Sequence, residues 1–506
     1  MRKRFVFITA RRKELRGGNM KKRRLMLCSI ISLIMVFVMA VPMTVSADTA
    51  THVNNPADLQ TAVNAGGEIV LDDDITASIT IPAGKNITLD LNGKTLTGGA
   101  NDAIYVSLGA TLTINDSVGN GSVKAATGGK AAIFNNGTTT IKNGYYTRSA
   151  GQWYTIVNHG TMTIENAKAD ASIDGTSSLI ENGYSSYNKT DERYGHIDGT
   201  NAANPNLTIN GGSFTSTGFN TVKNDDGGVL TINSGIFKAA YVNTSTKPED
   251  KDNLGSAIQN WNVATINGGT FISTADTVVI SSGAYKGNVD KGITQIKNGS
   301  FKSENGKNLF GIAVGGDSVG ALTISDGDFS GNLGLADVAT KYTATLTGGS
   351  YTDINAKDFI KEDHILIQYK KSGQNGKYYV GTPEEIKEIA KTAKDGDRID
   401  VIKGSITLDK IKPGVNVYND RSNEKGEVIV NGTPLNPGYG MEIQNPATDP
   451  TKPSQDQTQK PSDTAKADKS AKTGDDFNLF AVGGVALAAI IAMAAVAITG
   501  RRHRQR

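Results

Sequence analysis

One short phrase recurs along the chain and constrains its fold more than any other feature. It reads "NLTINGGSFTST" from Asn206, and variants such as "VLTINSGIFKA" and "VATINGGTFIS" follow it. Each copy alternates apolar, Thr, apolar, as in Leu207-Thr208-Ile209, which predicts a strand with aliphatic side chains inward and Thr outward. Repeats of about 20–50 residues that are built of strands are typical of a solenoid. The inward aliphatic residues are Ile114, Ile141, Ile164, Ile209, Ile232, Ile266, Ile296, Ile324 and Leu346.

An aromatic residue lies five positions after this aliphatic residue in most copies, and a Gly lies two positions before the aromatic. If the strand continued straight, this odd offset would point the ring away from the core. Gly can adopt a corner conformation that other residues avoid, so we expect it to turn the ring inward. The phrase therefore predicts strand, corner, strand. The aromatic residues are Tyr146, Phe214, Phe237, Phe271, Phe301, Phe329 and Tyr351.

A second phrase precedes the first in several copies, as in "AAIFNNG" and "YTIVNHG". It places an Asn at a turn, at one fixed position after an inward Ile or Val. Asn side chains stacked at equivalent turns can hydrogen-bond one another and the adjacent backbone. We therefore predict a column formed by Asn135, Asn158, Asn182, Asn224 and Asn260.

Together these patterns resemble the right-handed parallel β-helix, the pectate-lyase-like fold, so we assign residues 48–350 to an all-β solenoid of this class. The 45-residue gap between Ile164 and Ile209 fits two turns, or one turn with an insertion. Short capping helices are predicted at "NPADLQTAVNAGG", with Leu59 and Val63 inward, and at "TPEEIKEIAKTAK", with Ile386 and Ile389 on one face.

After the solenoid, residues 351–440 are predicted to form a closing unit or a small α+β domain. Residues 441–473 are rich in Pro, Thr, Gln, Lys and Asp and nearly devoid of apolar residues beyond Ile443, which predicts a disordered spacer. Such a segment suits passage through a cell wall.

The N-terminal region has the pattern of a secretory signal peptide, assigned to residues 1–47, with translation beginning at Met1 or Met20. A basic start is followed by an apolar run from Leu25, a helix breaker at Pro42, and the small residues Val45 and Ala47. This order predicts cleavage by signal peptidase after Ala47. An uncleaved N-terminal anchor is the alternative.

The C-terminal region, residues 474–506, has an apolar run from Phe480 to Ile498 and a basic tail. It resembles the sorting signal that sortases recognise in Gram-positive surface proteins, whose motif is L-P-x-T-G. Here Ser470, Ala471, Lys472, Thr473 and Gly474 occupy that place, so Ser-Ala replaces Leu-Pro. The resemblance implies cleavage between Thr473 and Gly474 and covalent attachment of Thr473 to peptidoglycan. A permanent transmembrane helix is the alternative.

Charge and cysteine content narrow the functional classes. The net charge of the full sequence is +3, but residues 1–24 carry +10 and the tail +4, which leaves −9 on residues 48–473. This excess of acidic residues argues against nucleic acid as a partner. The single cysteine, Cys28, lies in the predicted signal peptide, so the mature chain has no disulfide or cysteine nucleophile.

Enzymatic activity is the main alternative to a binding role, since β-helices include polysaccharide lyases and hydrolases. Of the motifs expected of polygalacturonases, only Asp225-Asp226 is present. The predicted mature chain has four arginines, including Arg193, from which a lyase could draw its base. The sequence does not decide the question but favours a non-catalytic protein, since fold alone does not assign function. It indicates no metal or cofactor.

The best candidate binding site is the excursion from Tyr184 to Asn204, because insertions on solenoids commonly carry binding. A solvated loop without function is the alternative. A second group near Arg148 could form a platform for stacking on sugars, through Tyr145, Trp153 and Tyr154. The excursion concentrates Tyr187, Asp191, Glu192, Arg193, Tyr194, His196 and Asp198.

We therefore expect a secreted, adhesin-like protein that is anchored to the cell wall of a Gram-positive bacterium. Its partners would be sortase, peptidoglycan and a host or environmental glycan or glycoprotein, with mucin and immunoglobulin among the candidates. It would contact the membrane only through the C-terminal segment, before processing. A surface polysaccharide lyase or glycoside hydrolase, and a passive surface-coat spacer, are the alternatives.

Overall fold

The computed structural model describes residues 50–149, 153–165, 171–175, 178–184, 204–248, 254–285, 292–312, 316–317, 320–335, 343–354, 357–445 and 458–459. The predicted signal peptide and the predicted sorting signal lie outside these ranges. Within them, no helix combines the length and apolar character needed to span a membrane. The predicted apolar run from Phe480 to Ile498 is outside the described residues.

The protein is mostly β and folds as a parallel β-helix, as predicted. A complete coil contributes one strand to each of three sheets. In one coil these are Asn206–Ile209 in the first sheet, Ser213–Ser216 in the second and Asn220–Asn224 in the third. Each strand pairs in parallel with its equivalent in the next coil, so that Ile209 lies beside Ile232.

The strands of the three sheets follow the chain order. The twelve of the first sheet are Thr51–Val53, Gly67–Leu71, Asn86–Asp90, Thr111–Asn115, Thr138–Ile141, Thr161–Ile164, Asn206–Ile209, Val229–Ile232, Val263–Ile266, Gly292–Ile296, Gly320–Ile324 and Thr343–Leu346. The parallel strands of the second are Ile75–Thr76, Thr95–Thr97, Ser122–Ala125, Gly144–Arg148, Ala171–Gly175, Ser213–Ser216, Ile236–Ala239, Thr270–Ser273, Ser300–Ser303, Asp328–Ser330 and Gly349–Tyr351. The nine of the third are Ile79–Ile81, Ile104–Val106, Ile133–Asn135, Ile156–Asn158, Ile180–Asn182, Asn220–Asn224, Gly255–Asn260, Thr277–Ser282 and Phe310–Ile312.

The predicted glycine corner is confirmed. Gly269 has φ of +114° between the strand Val263–Ile266 of the first sheet and the strand Thr270–Ser273 of the second. This conformation turns Phe271 into the core, where it is fully buried. Successive rings stack along the core, at 4.9 Å for Phe237–Phe271 and 4.8 Å for Phe271–Phe301. The corners share this positive φ at Gly144, Gly212, Gly235, Gly269, Gly299, Gly327 and Gly349.

The 45-residue gap is one turn with an insertion. Ile164 pairs directly with Ile209 in the first sheet, so residues 165–205 belong to a single coil. The predicted outward Thr residues lie side by side at the same position of this sheet, as Thr163 and Thr208 do.

The predicted Asn column is also confirmed. The amide nitrogen of each residue donates to Oδ1 of the next, at 2.7 Å for Asn135–Asn158, Asn158–Asn182 and Asn182–Asn224 and at 2.8 Å for Asn224–Asn260. All five side chains are fully buried. Each column Asn thus joins its coil to the next through a side chain in addition to the backbone ladder.

The N-terminal end of the solenoid is covered by helix α1, Pro56–Ala65. The side chain of Asn55 accepts a hydrogen bond from the Asp58 amide, and Pro56 suits the first helical turn. Leu59 and Val63 are fully buried against the first coils, as predicted.

The segment after the solenoid extends the second sheet with antiparallel strands and builds a separate core. Gly349–Tyr351 pairs with Lys377–Gly381, which pairs in turn with Ile365–Lys370. Helix α2, Pro383–Lys391, begins with a capping box between Thr382 and Glu385 and buries Ile386 in the second core. The remaining elements are the 3₁₀ helix Lys357–Phe359 and the strands Ala284–Tyr285, Gly316–Asp317, Arg398–Lys403, Ile406–Leu408, Asn416–Asn419, Val428–Val430, Thr433–Leu435, Tyr439–Glu442 and Thr458–Gln459.

Candidate functional site on the third sheet

The outer face of the third sheet differs from that of the first. Where the first sheet repeats Thr, the position before each column Asn changes from coil to coil. Strand pairing places these residues in one row: Tyr105, Phe134, Val157, Glu181, Lys223, Gln259 and Ser281. Although they point away from the core of the solenoid, Glu181 is only 1% exposed and Gln259 only 3%. This part of the outer face is therefore covered.

Aromatic residues cover one end of the row. Phe134 and Val157 are fully buried in a small cluster of their own, against which Tyr105, Trp153 and Tyr154 pack. The rings of Trp153 and Tyr154 meet edge to face, with centroids 5.3 Å apart.

Of the predicted stacking residues, the structure thus brings Trp153 and Tyr154 together. Tyr145 lies elsewhere, on the outer face of the second sheet, where it is 38% exposed. Arg148 ends the same strand and is buried, which lowers its pKa to about 10. Tyr146 is in the core, as its position predicts.

Next to the aromatic residues lies a charged cluster that consists of Glu181, Lys223 and Asp225. Glu181 and Lys223 are direct neighbours on paired strands. The Lys223 ammonium lies 2.5 Å from a carboxylate oxygen of the fully buried Asp225. Both side chains flank Asn224, whose burial in the Asn column fixes the backbone between them. The column therefore positions the ion pair.

The Lys223 ammonium also contacts aromatic groups. It donates to the hydroxyl of Tyr154 at 3.3 Å and lies 5.9 Å from the centre of that ring. On its other side, the ring centre of Trp261 is 5.8 Å away. Distances of this size are within the range of cation–π attraction. The ammonium thus contacts the Asp225 carboxylate, the Tyr154 hydroxyl and the rings of Tyr154 and Trp261.

Glu181 completes the cluster, and its surroundings disfavour the ionised form of its carboxyl group. Burial raises its pKa well above the usual range, the Lys223 ammonium opposes this shift, and the Asp225 carboxylate adds to it. Hydrogen bonding to the Asp225 side chain also raises the pKa of Glu181, and hydrogen bonding to Tyr154 lowers it. Burial therefore favours the neutral form of Glu181 beside the ion pair.

Polar side chains continue the row beyond Lys223. Asn220 donates to Gln259 and, at 3.3 Å, to Ser178. Ser256 donates to Asn220 at 2.9 Å and lies 2.9 Å from the hydroxyl of Ser281. The outer face of the third sheet thus carries connected hydroxyl, amide and charged groups across four successive coils.

The predicted binding excursion begins beside this cluster. Its first residue, Tyr184, donates its backbone N–H to the Asp226 carbonyl at 2.8 Å and its hydroxyl to the His159 carbonyl at 3.0 Å. The rings of Tyr184 and His159 are 4.7 Å apart. Outside the described residues lie the excursion residues Tyr187, Asp191, Glu192, Arg193, Tyr194, His196 and Asp198.

The two residues of the Asp225-Asp226 pair, which matches a motif expected of polygalacturonases, have different roles in the structure. The Asp225 side chain forms the ion pair with Lys223, while the Asp226 carbonyl holds the base of the excursion. No three His, Cys, Asp or Glu side chains converge in a metal-binding arrangement within the described ranges.

Sequence reasoning missed Glu181, Lys223, Gln259 and Trp261. A signal for the first three was present, because the residue before each column Asn reads Phe, Val, Glu, Lys, Gln in successive coils while the other outward column repeats Thr. Loss of a repeated residue at a constant strand position indicates a local environment that differs between coils.

The chain was also compared with known proteins. Comparison with protein-family models, with curated proteins and with solved structures finds no match.

Proposed function

We propose that this chain is an adhesin-like surface protein that binds glycans or glycoproteins through the outer face of the third sheet and the adjoining excursion, residues 185–203. One observation carries the proposal. The base of the excursion at Tyr184 is fastened to Asp226 and His159, and these residues adjoin the cluster of Glu181, Lys223 and Asp225. Aromatic rings beside hydroxyl, amide and carboxyl groups are the chemistry that sugar recognition uses.

The proposed setting is the cell wall of a Gram-positive bacterium. The N-terminal signal-peptide pattern and the Thr473-Gly474 motif before an apolar run and basic tail support it. We expect wild-type protein to be released from walls only by peptidoglycan hydrolases, and Thr473→Ala protein to remain with membranes or medium. Equal release of both by detergent would contradict attachment through Thr473.

The binding role can be tested with purified residues 48–445, which keep the last strand, Tyr439–Glu442, on arrays of glycans and host glycoproteins. A variant in which residues 185–203 are replaced by a two-residue turn, like Asn136-Gly137 of an uninterrupted coil, should lose binding. A matched variant that shortens residues 245–253, on another connection of the solenoid, should retain it. Unchanged binding by the first variant would contradict the proposed site.

The same preparation distinguishes the enzymatic alternative. We expect no new reducing ends or unsaturated products from acidic or neutral polysaccharides, relative to heat-killed protein. Turnover would replace the adhesin proposal with a lyase or hydrolase, and absence of any ligand on the arrays would favour a passive coat protein.

A further inference from the structure

The amine of Lys223 and the carboxyl group of Asp225 are held in contact inside the protein. Nζ of Lys223 lies 2.5 Å from Oδ2 of Asp225, whose side chain is fully buried. The two residues flank Asn224, whose side chain is fixed in the Asn column by its bond to Asn260 at 2.8 Å. Two groups fixed in this way have a high effective concentration, because their encounter needs no diffusion. The fold therefore brings together an amine and a carboxyl group, which can condense to an amide.

The surroundings of the pair favour a neutral product over two charges. The Lys223 ammonium lies 5.9 Å from the centre of the Tyr154 ring and 5.8 Å from that of Trp261, and the Lys223 side chain is only 12% exposed. Desolvation of two buried charges can cost more free energy than their attraction returns. An amide carries no charge and avoids this cost. The same exclusion of water slows hydrolysis of the amide after it has formed.

Glu181 provides the acid that such a condensation needs. Its side chain is hydrogen-bonded to those of Asp225 and Tyr154, and burial raises its pKa, which favours the protonated form. The Tyr154 hydroxyl also accepts a hydrogen bond from Lys223 at 3.3 Å. A neutral carboxyl group can protonate the oxygen of a neighbouring carboxyl group and so prepare its carbon for attack, and the carboxylate that remains can accept a proton from the nitrogen. The amine, the carboxyl group and the acid thus belong to one hydrogen-bonded cluster.

We propose that Lys223 and Asp225 condense to an intramolecular amide, an isopeptide bond, and that Glu181 transfers the protons. The Lys223 ammonium first gives a proton to the Asp225 carboxylate. The neutral amine then attacks Cγ of Asp225 while Glu181 protonates a carboxyl oxygen, and the Glu181 carboxylate takes a proton from the nitrogen. Glu181 next protonates one hydroxyl group, which leaves as water, and recovers a proton from the hydroxyl group that becomes the amide carbonyl. In sum, one C–N bond forms, one C–O bond breaks and one water is released, without an oxidant or cofactor.

The bond would fasten the base of the excursion. The Asp225 N–H donates to the Asn182 carbonyl at 2.7 Å, and the Asp226 carbonyl accepts the N–H of Tyr184 at 2.8 Å. A covalent link between side chains two positions apart restricts the backbone between them, so the start of the excursion is fixed before any ligand arrives. The inference does not depend on what the excursion binds.

Tryptic mapping of the denatured full chain tests the bond, because trypsin does not cut after a lysine whose amine is part of an amide. A linked chain should give a single peptide, residues 194–238, that is lighter by one water than the same uncut sequence. An unlinked chain should give two peptides, residues 194–223 and 224–238. A cyclic imide at Asp226-Gly227 would also lose water, but it would leave Lys223 cleavable. The uncut site and the lost water together therefore identify the link.

Three variants assign the roles. Glu181→Gln keeps the size of the side chain and removes its acidic proton, so the linked peptide should be lost. Lys223→Arg keeps the positive charge but carries a guanidinium, which does not condense with a carboxyl group, and should also be unlinked. Glu165→Gln is the matched control. It changes a carboxyl group that follows a strand of the first sheet and accepts from Asn210 at 3.0 Å, and this chain should remain linked.

The outcomes are distinct. Two separate peptides from the wild-type chain would overturn the proposal. A linked peptide from Glu181→Gln would overturn the role of Glu181, and loss of the link in Glu165→Gln would show that any change of a carboxyl group has this effect. Circular dichroism checks the fold of each variant. If Glu181→Gln does not fold, the maps of the wild-type and Lys223→Arg chains decide whether the bond exists.

Discussion

The side-chain amide of Asn182 donates to Oδ1 of Asn224 at 2.7 Å, although 42 positions of sequence separate the two residues. The same amide donates to the Val229 carbonyl at 3.1 Å. The excursion that begins at Tyr184 lies between them in sequence. The Asn column therefore runs uninterrupted through the coil that carries the longest insertion.

Asn182→Ala should be strongly destabilising. It removes the bonds to Asn224 and Val229, and it takes from the fully buried Asn158 amide one of its two acceptors, leaving only the Asn206 carbonyl. We expect the free energy of unfolding to fall by about 2–3 kcal/mol, measured by urea denaturation. The control is Asn233→Ala, in an exposed row where Asn233 bonds to Asn210 and Asn267, each at 2.7 Å. Its cost should be under about 1 kcal/mol, because water replaces the lost bonds. Equal costs would show that burial of the column is not what stabilises it.

Gly269→Ala should destabilise through both backbone and packing. Its φ of +114° disfavours any side chain, and an added Cβ would lie 3.2 Å from the Gly235 carbonyl oxygen and from the Phe271 ring. Gly306→Ala is the matched control, since Gly306 also has a positive φ of +72° but its added Cβ would meet nothing within 4 Å. We expect about 1 kcal/mol for the control and clearly more for Gly269→Ala in thermal or urea unfolding. Similar values for both would mean that the corner has room for a methyl group.

Phe271→Ala should leave a cavity in the aromatic stack between Phe237 and Phe301. A truncation of this kind in a packed core costs about 3–5 kcal/mol. Tyr145→Ala, on the outer face of the same sheet, removes an exposed ring and should cost at most about 0.5 kcal/mol. Urea unfolding of both variants checks the contrast, and a small loss for Phe271→Ala would indicate that neighbouring coils collapse into the space.

Glu181 should make stability depend on pH. Because its pKa is raised in the folded state, the folded protein keeps a proton that the unfolded chain releases. The stabilisation by this proton is complete below the unfolded pKa, about 4.3, and is lost as pH rises through the folded pKa. Over that interval the free energy of unfolding should fall by about 1.4 kcal/mol per pH unit.

Urea unfolding of wild type and Glu181→Gln from acid to neutral pH measures this effect as the difference between the two curves. The difference should change with pH in the stated direction. Parallel curves would show that folding does not raise the pKa of Glu181.

The sequence predicted the solenoid well because its coils repeat. Three features recur at equivalent positions: the alternation in Leu207-Thr208-Ile209, the corner at Gly212 and the column of Asn residues. A residue type that returns at the same position in many coils indicates a requirement of the fold. The sequence could not decide how the chain between Ile164 and Ile209 is arranged, because one coil with an insertion and two coils would have the same length.

The charged cluster of Glu181, Lys223 and Asp225 could not be predicted in the same way. Glu181 and Lys223 meet because two coils place them side by side, and their burial depends on residues outside their own strands. Conversely, Tyr145 and Trp153 are close in sequence but lie apart, because Tyr145 is on a strand of the second sheet and Trp153 is in the connection that leads to the third-sheet strand Ile156–Asn158. Proximity in sequence therefore did not predict proximity in space where a corner of the solenoid lies between two residues.

The uninterrupted Asn column has a consequence for how such a chain can diversify. Because Ile164 pairs directly with Ile209 and Asn182 bonds directly to Asn224, the coil closes beneath the excursion without help from it. Residues between Tyr184 and Asn204 can then be lengthened, shortened or exchanged without altering the register of any strand. The solenoid is thereby decoupled from the inserted segment, and a foreign peptide grafted at this point should be displayed on an intact solenoid.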